Sequence, residues 1–287
     1  MLTFSILAAL GAMFCWGFGD FFIQKATRKI GDVETLAWIG LGGSVGLTPF
    51  VWNDLSLVFK GSNFTTLFLL GIVVFVVGII NFEALRRGKL SVVEVLLELE
   101  LPITVILGVL FFQESLTLVQ LLLIAVIFFG IIFISAKPDD FKKRHFFERG
   151  AVLAIAAAIG YGLVNFLTAA GAKGISPLLA IWFPWVVFSV ICILYLVSKK
   201  RIGPFLAHAR IYPSLILTIG ILDTLAWVFF ALAVQKNELS VTIAITESYP
   251  AISLLLGINL NNEKISKYQV VGAIMTIGAS FLIGLTG

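Results

Sequence analysis

The stretch Glu94–Pro102 reads EVLLELELP and sets three carboxylates, Glu94, Glu98 and Glu100, into a run otherwise fit for lipid. An ionisable group at membrane depth costs about 3 kcal/mol on insertion scales, so each deep acid is a functional candidate by default. Glu98 lies about two turns into its helix, roughly 10 Å along at 1.5 Å per residue. Glu247, in Thr246-Glu247-Ser248-Tyr249-Pro250, is equally deep in a later run. No Lys or Arg lies mid-span to neutralise either one. Such a pair points to a cavity and to groups that exchange protons near neutral pH. Glu100 falls about 200° around a continuous helix from Glu98, which demands protein cover on more than one side. Its partner is not legible. Pro102 removes a backbone hydrogen bond nearby, a break tolerated where the backbone is buried or lines water.

Asp223 sits at the centre of another apolar run, with Trp227 four residues on and therefore on the same helical face. Acid plus indole is the composition of a cation site, since a ring face attracts an ammonium by up to about 2 kcal/mol when desolvated. Trp16 and Tyr161 occupy matched positions in two halves of the chain, with Trp182, Trp185 and Tyr249 as further aromatics. Interfacial anchoring is the plainer use of Trp and Tyr. It suits Trp52 and Trp185, and suits mid-span Trp227 poorly. Asp20 is matched by Asn165 and is a gate, a cation contact or a partner for Lys25. The expected substrate- and proton-binding set is Glu98, Glu247, Asp223 and Asp20. The expected lining is Trp16, Tyr161, Asn165, Trp227, Tyr249 and Asn81.

Four other acids have structural readings. Ser91-Val-Val-Glu94 is a capping box, in which Ser and Glu satisfy each other's free amides. Glu83 precedes Arg86 and Arg87 by three and four residues, the spacing of a local ion pair. Glu114 and Glu263 end apolar runs in short polar turns and are read as loop anchors.

The elements that carry these groups follow from composition. Of 287 residues, 60% are hydrophobic and 13% charged, more apolar surface than a water-soluble domain hides. Ten runs have the length that crosses a bilayer as a helix: 3–24, 34–52, 64–85, 91–112, 117–136, 150–172, 177–198, 211–235, 239–259 and 267–285. The reading is an all-α polytopic membrane protein. The first run lacks a basic leader and reads as retained. Cys15 and Cys192 lie within spans and make neither a disulfide framework nor a metal site. His145 and His208 fall between spans, where a solvated role is the default. Seventeen of the 20 basic residues lie in odd-numbered loops. The positive-inside rule makes those loops cytoplasmic and places both termini outside, in a cell (plasma or inner) membrane. The net charge of +4 is thus a topology signal, and no nucleic acid is implied.

The segment 137–149, KPDDFKKRHFFER, divides the chain into 1–136 and 150–287, and the two sides match. WGFGDFF at 16–22 corresponds to YGLVNFL at 161–167. From Leu90-Ser91-Val92 onto Leu239-Ser240-Val241 the offset is 149, carrying Glu98 onto Glu247, Gly108 onto Gly257, Glu114 onto Glu263 and Gln120 onto Gln269. Five spans per half invert the second half, an arrangement that places binding sites near the midplane between repeats. Trp16-Gly17, Phe82-Glu83-Ala84-Leu85, Pro102 with Pro250, and Glu-x-x-Thr/Ser-x-x-Gln at Glu114, Thr117, Gln120 and at Glu263, Ser266, Gln269 follow in order. The chain resembles the EamA family of the drug/metabolite transporter superfamily over essentially its whole length. That resemblance implies a ten-helix carrier with a cavity lined by spans 1, 3, 4, 6, 8 and 9, and names no substrate.

The expected function is secondary transport of a small organic cation or zwitterion by alternating access, with protons competing for the same acids and no cofactor. The protein is expected to act as a monomer in the lipid bilayer. Sugar phosphates fit poorly, because their sites need intramembrane Lys or Arg. A neutral metabolite and a channel are alternatives. So is an intramembrane aspartyl protease, because Gly17-Phe18-Gly19-Asp20 matches GxGD and Asp223 offers a second aspartate. No late Pro-Ala-Leu element accompanies that motif, and the repeat explains GFGD as a variant of GLVN.

Overall fold

The computed structural model describes residues 3–87, 90–135, 149–261 and 266–286. In the first half run α1 (Phe4–Ile30), α2 (Asp32–Val51), a single 3-10 turn (Trp52–Asp54), α3 (Leu55–Val58), α4 (Asn63–Arg87), α5 (Leu90–Leu97), α6 (Glu100–Phe112) and α7 (Leu118–Ser135). In the second run α8 (Arg149–Gly174), α9 (Pro177–Ser198), α10 (Ile202–Ile211), α11 (Pro213–Lys236), α12 (Leu239–Thr246), α13 (Tyr249–Asn261) and α14 (Lys267–Gly284). Ten stretches among the described residues are helical and apolar for long enough to cross a membrane. The expected linker 137–149 lies outside the described residues except for Arg149, as do His145 and Glu263. The side chains of Ser91, Glu94, Arg86 and Arg87 also lie outside them, and with them the expected capping box and ion pair.

Three features depart from the sequence reading. The first span runs on to Ile30, because Ala26 and Ile30 are buried and the helix ends only at Gly31, whose φ is 92°. Arg28 and Lys29 therefore stand on the last helical turn, where cations oppose the helix dipole. The loop after the seventh span contains α10, pinned where buried Phe205 stacks on Trp38 at 4.3 Å between ring centroids. His208 on α10 is half-buried, its Nδ1 3.7 Å from the buried carboxylate of Glu34, which also pairs with Arg201 at 3.0 Å. A solvated surface role for His208 is thus corrected.

The third departure is that spans 4 and 9 are both broken, and at matched places. α5 stops at Leu97 and α6 resumes at Glu100; α12 stops at Thr246 and α13 resumes at Tyr249. The cause is proline. Pro102 has no N–H, and its ring crowds the carbonyl four residues back, that of Glu98. The Glu98 carbonyl accepts instead from the Leu101 N–H at 3.3 Å, a tighter i→i+3 bond. In span 9 the Ser248 and Ala251 N–H groups likewise donate three residues back, to Ile245 and Ser248. Each proline ends in the first turn of the second half-helix, where it is tolerated.

Packing repeats as the sequence does. α1 packs on α11 as α4 packs on α8, α13 on α1 as α6 on α8, α12 on α1 as α5 on α8, and α11 on α2 as α4 on α9. The pairs α2 with α9 and α7 with α14 map onto themselves. Contacts between loops keep one parity: Glu34 with Arg201, Asp54 with Ser176, Glu114 with Leu239, and Gln269 with Ile134. Spans that cross alternately require this.

Gly17 and Gly162 let two of these matched crossings close. A Cβ on Gly17 would stand 2.5 Å from the Ile252 Cβ, and one on Gly162 would stand 2.5 Å from the Ile103 Cγ2. Ile103 and Ile252 are themselves mates at the offset of 149. Small residues buy close backbone approach between membrane helices. Gly17→Ala is expected to destabilise by about 1–3 kcal/mol through overpacking, read as a lower melting temperature in detergent. The penalty of Gly17→Ala should shrink in an Ile252→Gly background, which removes the opposing Cβ. Wild-type melting of the single variant would contradict the crossing.

Candidate substrate and proton site

The helix breaks put acids at the joints. Glu98 follows the last residue of α5 and Glu247 the last residue of α12, and both side chains are buried, at 8% and 7% exposure. Glu100 opens α6, where the free N–H groups of a helix start favour negative charge by the equivalent of about half a unit. Glu247 lies within electrostatic reach of Glu100, Glu98 and Asp20, and Asp223 within reach of Asp20. All five acids therefore form one cluster, drawn from α1, the two broken spans and α11. Glu98 is buried and Glu100 has a protein partner of its own, so span 4 is covered by protein on more than one side, as expected.

The missing partner of Glu100 is Asn165, whose Nδ2 donates to Oε1 at 2.7 Å and to Thr104 Oγ1 at 3.3 Å. Asn165 is buried on α8, whose next turn toward the N-terminus presents Tyr161. The Tyr161 hydroxyl accepts from Asn81 Nδ2 at 3.2 Å and lies within electrostatic reach of Glu100, Asp20 and Asp223. The mate of Asn165 is Asp20 and the mate of Glu100 is Tyr249. Asp20 and Tyr249 likewise lie within electrostatic reach of each other. Each crossing thus holds one carboxylate and one neutral group, with the roles exchanged.

Aromatic rings close one side of the cluster. Trp227 meets Trp16 edge-on at 5.1 Å between centroids and Trp185 at 5.6 Å, and Trp16 stands 6.4 Å from Tyr249. Trp185 is only 2% exposed, so its reading as an interfacial anchor is corrected; Trp52, 67% exposed, keeps that reading. The room for Trp185 comes from Gly43, where a Cβ would lie 2.5 Å from its Cδ1. A groove of about 430 Å³ between α13 and α14 has only apolar lining, such as Leu254, Val270 and Ile277, and none of the acids.

A model of the EamA-like transporter family matches residues 3–136 and again 148–285. This chain belongs to the EamA-like transporter family. Membership makes it a membrane transporter of the drug/metabolite type. An uncharacterized protein of Methanocaldococcus jannaschii is 30% identical over 136 residues, which span 98% of that protein and 47% of this chain. The relative is thus as long as one EamA-like repeat. A solved crystal structure, 13% identical in sequence, superposes with a TM-score of 0.78 over 100% of this chain and 99% of its own, a likeness of fold.

The EamA-like turn motif also acquires a physical meaning. Thr117 and Gln120 cap α7 reciprocally, the Thr117 N–H donating to Gln120 Oε1 at 2.8 Å and the Gln120 N–H to Thr117 Oγ1 at 3.2 Å. Ser266 and Gln269 do the same for α14. The sequence reading missed Thr104 and Ser253. Thr104 accepts from Asn165, and Ser253 donates to the Gly17 carbonyl at 3.0 Å. The two are mates at the offset of 149, so the matched hydroxyls were the available signal. Of the two glycines in Gly17-Phe18-Gly19-Asp20, Gly17 serves packing against Ile252, whereas a Cβ on Gly19 would meet Leu222 Cβ at an ordinary 3.6 Å.

Proposed function

We propose that this protein is a proton-coupled secondary transporter of a small organic cation or zwitterion, working by alternating access. The observation that carries the reading is the cluster of Asp20, Glu98, Glu100, Asp223 and Glu247 beside Trp16, Trp227 and Tyr249. Residues 3–24, 64–85, 91–112, 150–172, 211–235 and 239–259, the spans that supply it, contain no Lys or Arg. Like charges gathered away from water repel strongly, so the site is chemically complete only with protons or a bound cation. Competition between the two for the same carboxylates couples their fluxes. The rings favour an ammonium by up to about 2 kcal/mol. Asn81, Tyr161 and Asn165 orient the acids.

Two repeats of five spans, packed in a pattern that exchanges the halves, support rocking of one repeat against the other about a midplane site. The bias of basic residues favours cytoplasmic odd-numbered loops, outside termini and residence in the cell membrane. The protein acts as a monomer in the bilayer, since the site is complete within one chain.

A melting screen of the purified protein with quaternary ammonium compounds, amines, amino acids, nucleosides and sugar phosphates tests the reading. A ligand at a hundredfold excess over its Kd stabilises by about 2.7 kcal/mol. Cationic or zwitterionic compounds should raise the melting temperature, and sugar phosphates should not. Stabilisation by neutral compounds alone would replace the cation with a neutral metabolite.

A further inference from the structure

Outside the central cluster, buried Glu34 pairs with Arg201, and a second buried carboxylate remains. Glu114 follows the end of α6, in the turn before α7, and its side chain is only 4% exposed. It reaches across the repeat boundary to the start of α12. There it accepts hydrogen bonds from the Leu239 N–H, from the Ser240 N–H at 3.0 Å and from the Ser240 hydroxyl. Lys173, at the end of α8, stands 3.9 Å away. Gly108 leaves room for the carboxylate, since a Cβ there would lie 2.6 Å from Glu114 Oε2. Helix starts leave N–H groups unpaired and favour negative charge. Here the cap comes from the other half of the chain.

What α12 carries gives the contact its meaning. All eight residues of α12 are buried, and the helix ends directly at Glu247 and the break before α13. Eight residues span about 12 Å. One end of this rod holds an acid of the site and the other is gripped by Glu114.

We propose that Glu114 is a positioning residue that latches α12 and closes the face of the carrier formed by the 113–117 and 237–238 turns. Release of the latch lets α12 pivot at the Glu247 break and opens that face to the site. The proposal rests on the alternating-access reading, but its test does not require transport. Spin labels on Leu118→Cys and Lys236→Cys, both at exposed positions flanking the latch, with Cys15 and Cys192 replaced by Ser, report the separation of the two turns by pulsed electron resonance. Glu114→Ala should lengthen that distance by about one helical turn, near 5 Å. Ser240→Ala, which removes one donor, should lengthen it less. Thr117→Ala breaks only the α7 cap, and should lower the melting temperature while leaving the distance unchanged. If Glu114→Ala does not fold, Glu114→Gln, which keeps one acceptor oxygen, should give an intermediate lengthening. Wild-type distances in the folded Glu114 variant, or equal lengthening in Thr117→Ala, would overturn the latch. Opening by Glu114→Ala in a protein that moves no cation would sustain the latch and sink the transport reading alone.

Discussion

Proteoliposomes carrying Glu98→Gln or Glu247→Gln are expected to show no uptake or efflux driven by a pH gradient, at the level of empty liposomes. The amide keeps the shape and hydrogen-bonding capacity of the carboxylate and removes its ability to bind and release a proton. Each acid sits at a helix break rather than inside a packed helix, so the substitution leaves backbone bonds untouched. Both variants should therefore purify and melt much as the wild type does. Because the two acids share one cluster, their effects should not add, and the double variant should be no worse than either single one. Undiminished proton-driven flux in both single variants would remove these acids from the coupling mechanism.

Trp227→Phe is expected to weaken binding of an organic cation, and Asp223→Asn to weaken it further while sparing any neutral ligand. Loss of a cation–π contact worth about 2 kcal/mol is about a 30-fold rise in Kd. Phe retains part of that attraction, so Trp227→Phe should cost less. Trp227→Ala is a poor probe, because emptying the space between Trp16 and Trp185 would itself destabilise by about 3–5 kcal/mol. The repeat makes Asp223 the more telling variant. Counting back 149 residues, Asp223 and Trp227 fall on Val74 and Gly78, so the second half alone supplies this acid and this indole. Glu98 and Glu247, by contrast, are mates. An unpaired acid beside rings suits a substrate, and a duplicated pair suits an ion needed in both orientations. Equal losses for cationic and neutral ligands in Asp223→Asn, measured by calorimetry, would contradict that division.

The duplicated register made much of the site legible. Once Leu90-Ser91-Val92 is laid on Leu239-Ser240-Val241, Glu98 meets Glu247, and the polar residues of six spans become candidates for one midplane location. Those residues do come together: Asn81 on Tyr161, Asn165 on Glu100, and Trp16 on Trp227. The break beside Glu100 was not legible, because periodicity assumes an unbroken helix. Pro102 signalled a lost hydrogen bond, but whether a helix kinks or stops depends on what neighbours fill the gap. Trp185 was misplaced for a different reason. It is the ninth residue of the 22-residue α9, about 12 Å along and too deep for the headgroup region, and it packs against Gly43 and Trp227.

The amino-acid order alone determined that ten runs are long and apolar enough to cross a membrane, in two matched sets that carry costly buried acids. Those conclusions depend on hydrophobic length, on charge cost and on repetition, which are properties of residues taken along the chain. Tertiary structure decided which neutral group stands by which acid, that α10 folds over Trp38, and that Glu114 caps a helix of the opposite repeat. Each of these joins residues far apart in the chain. Such pairings are set by how helices cross, and the crossing depends on side-chain volumes at every contact together.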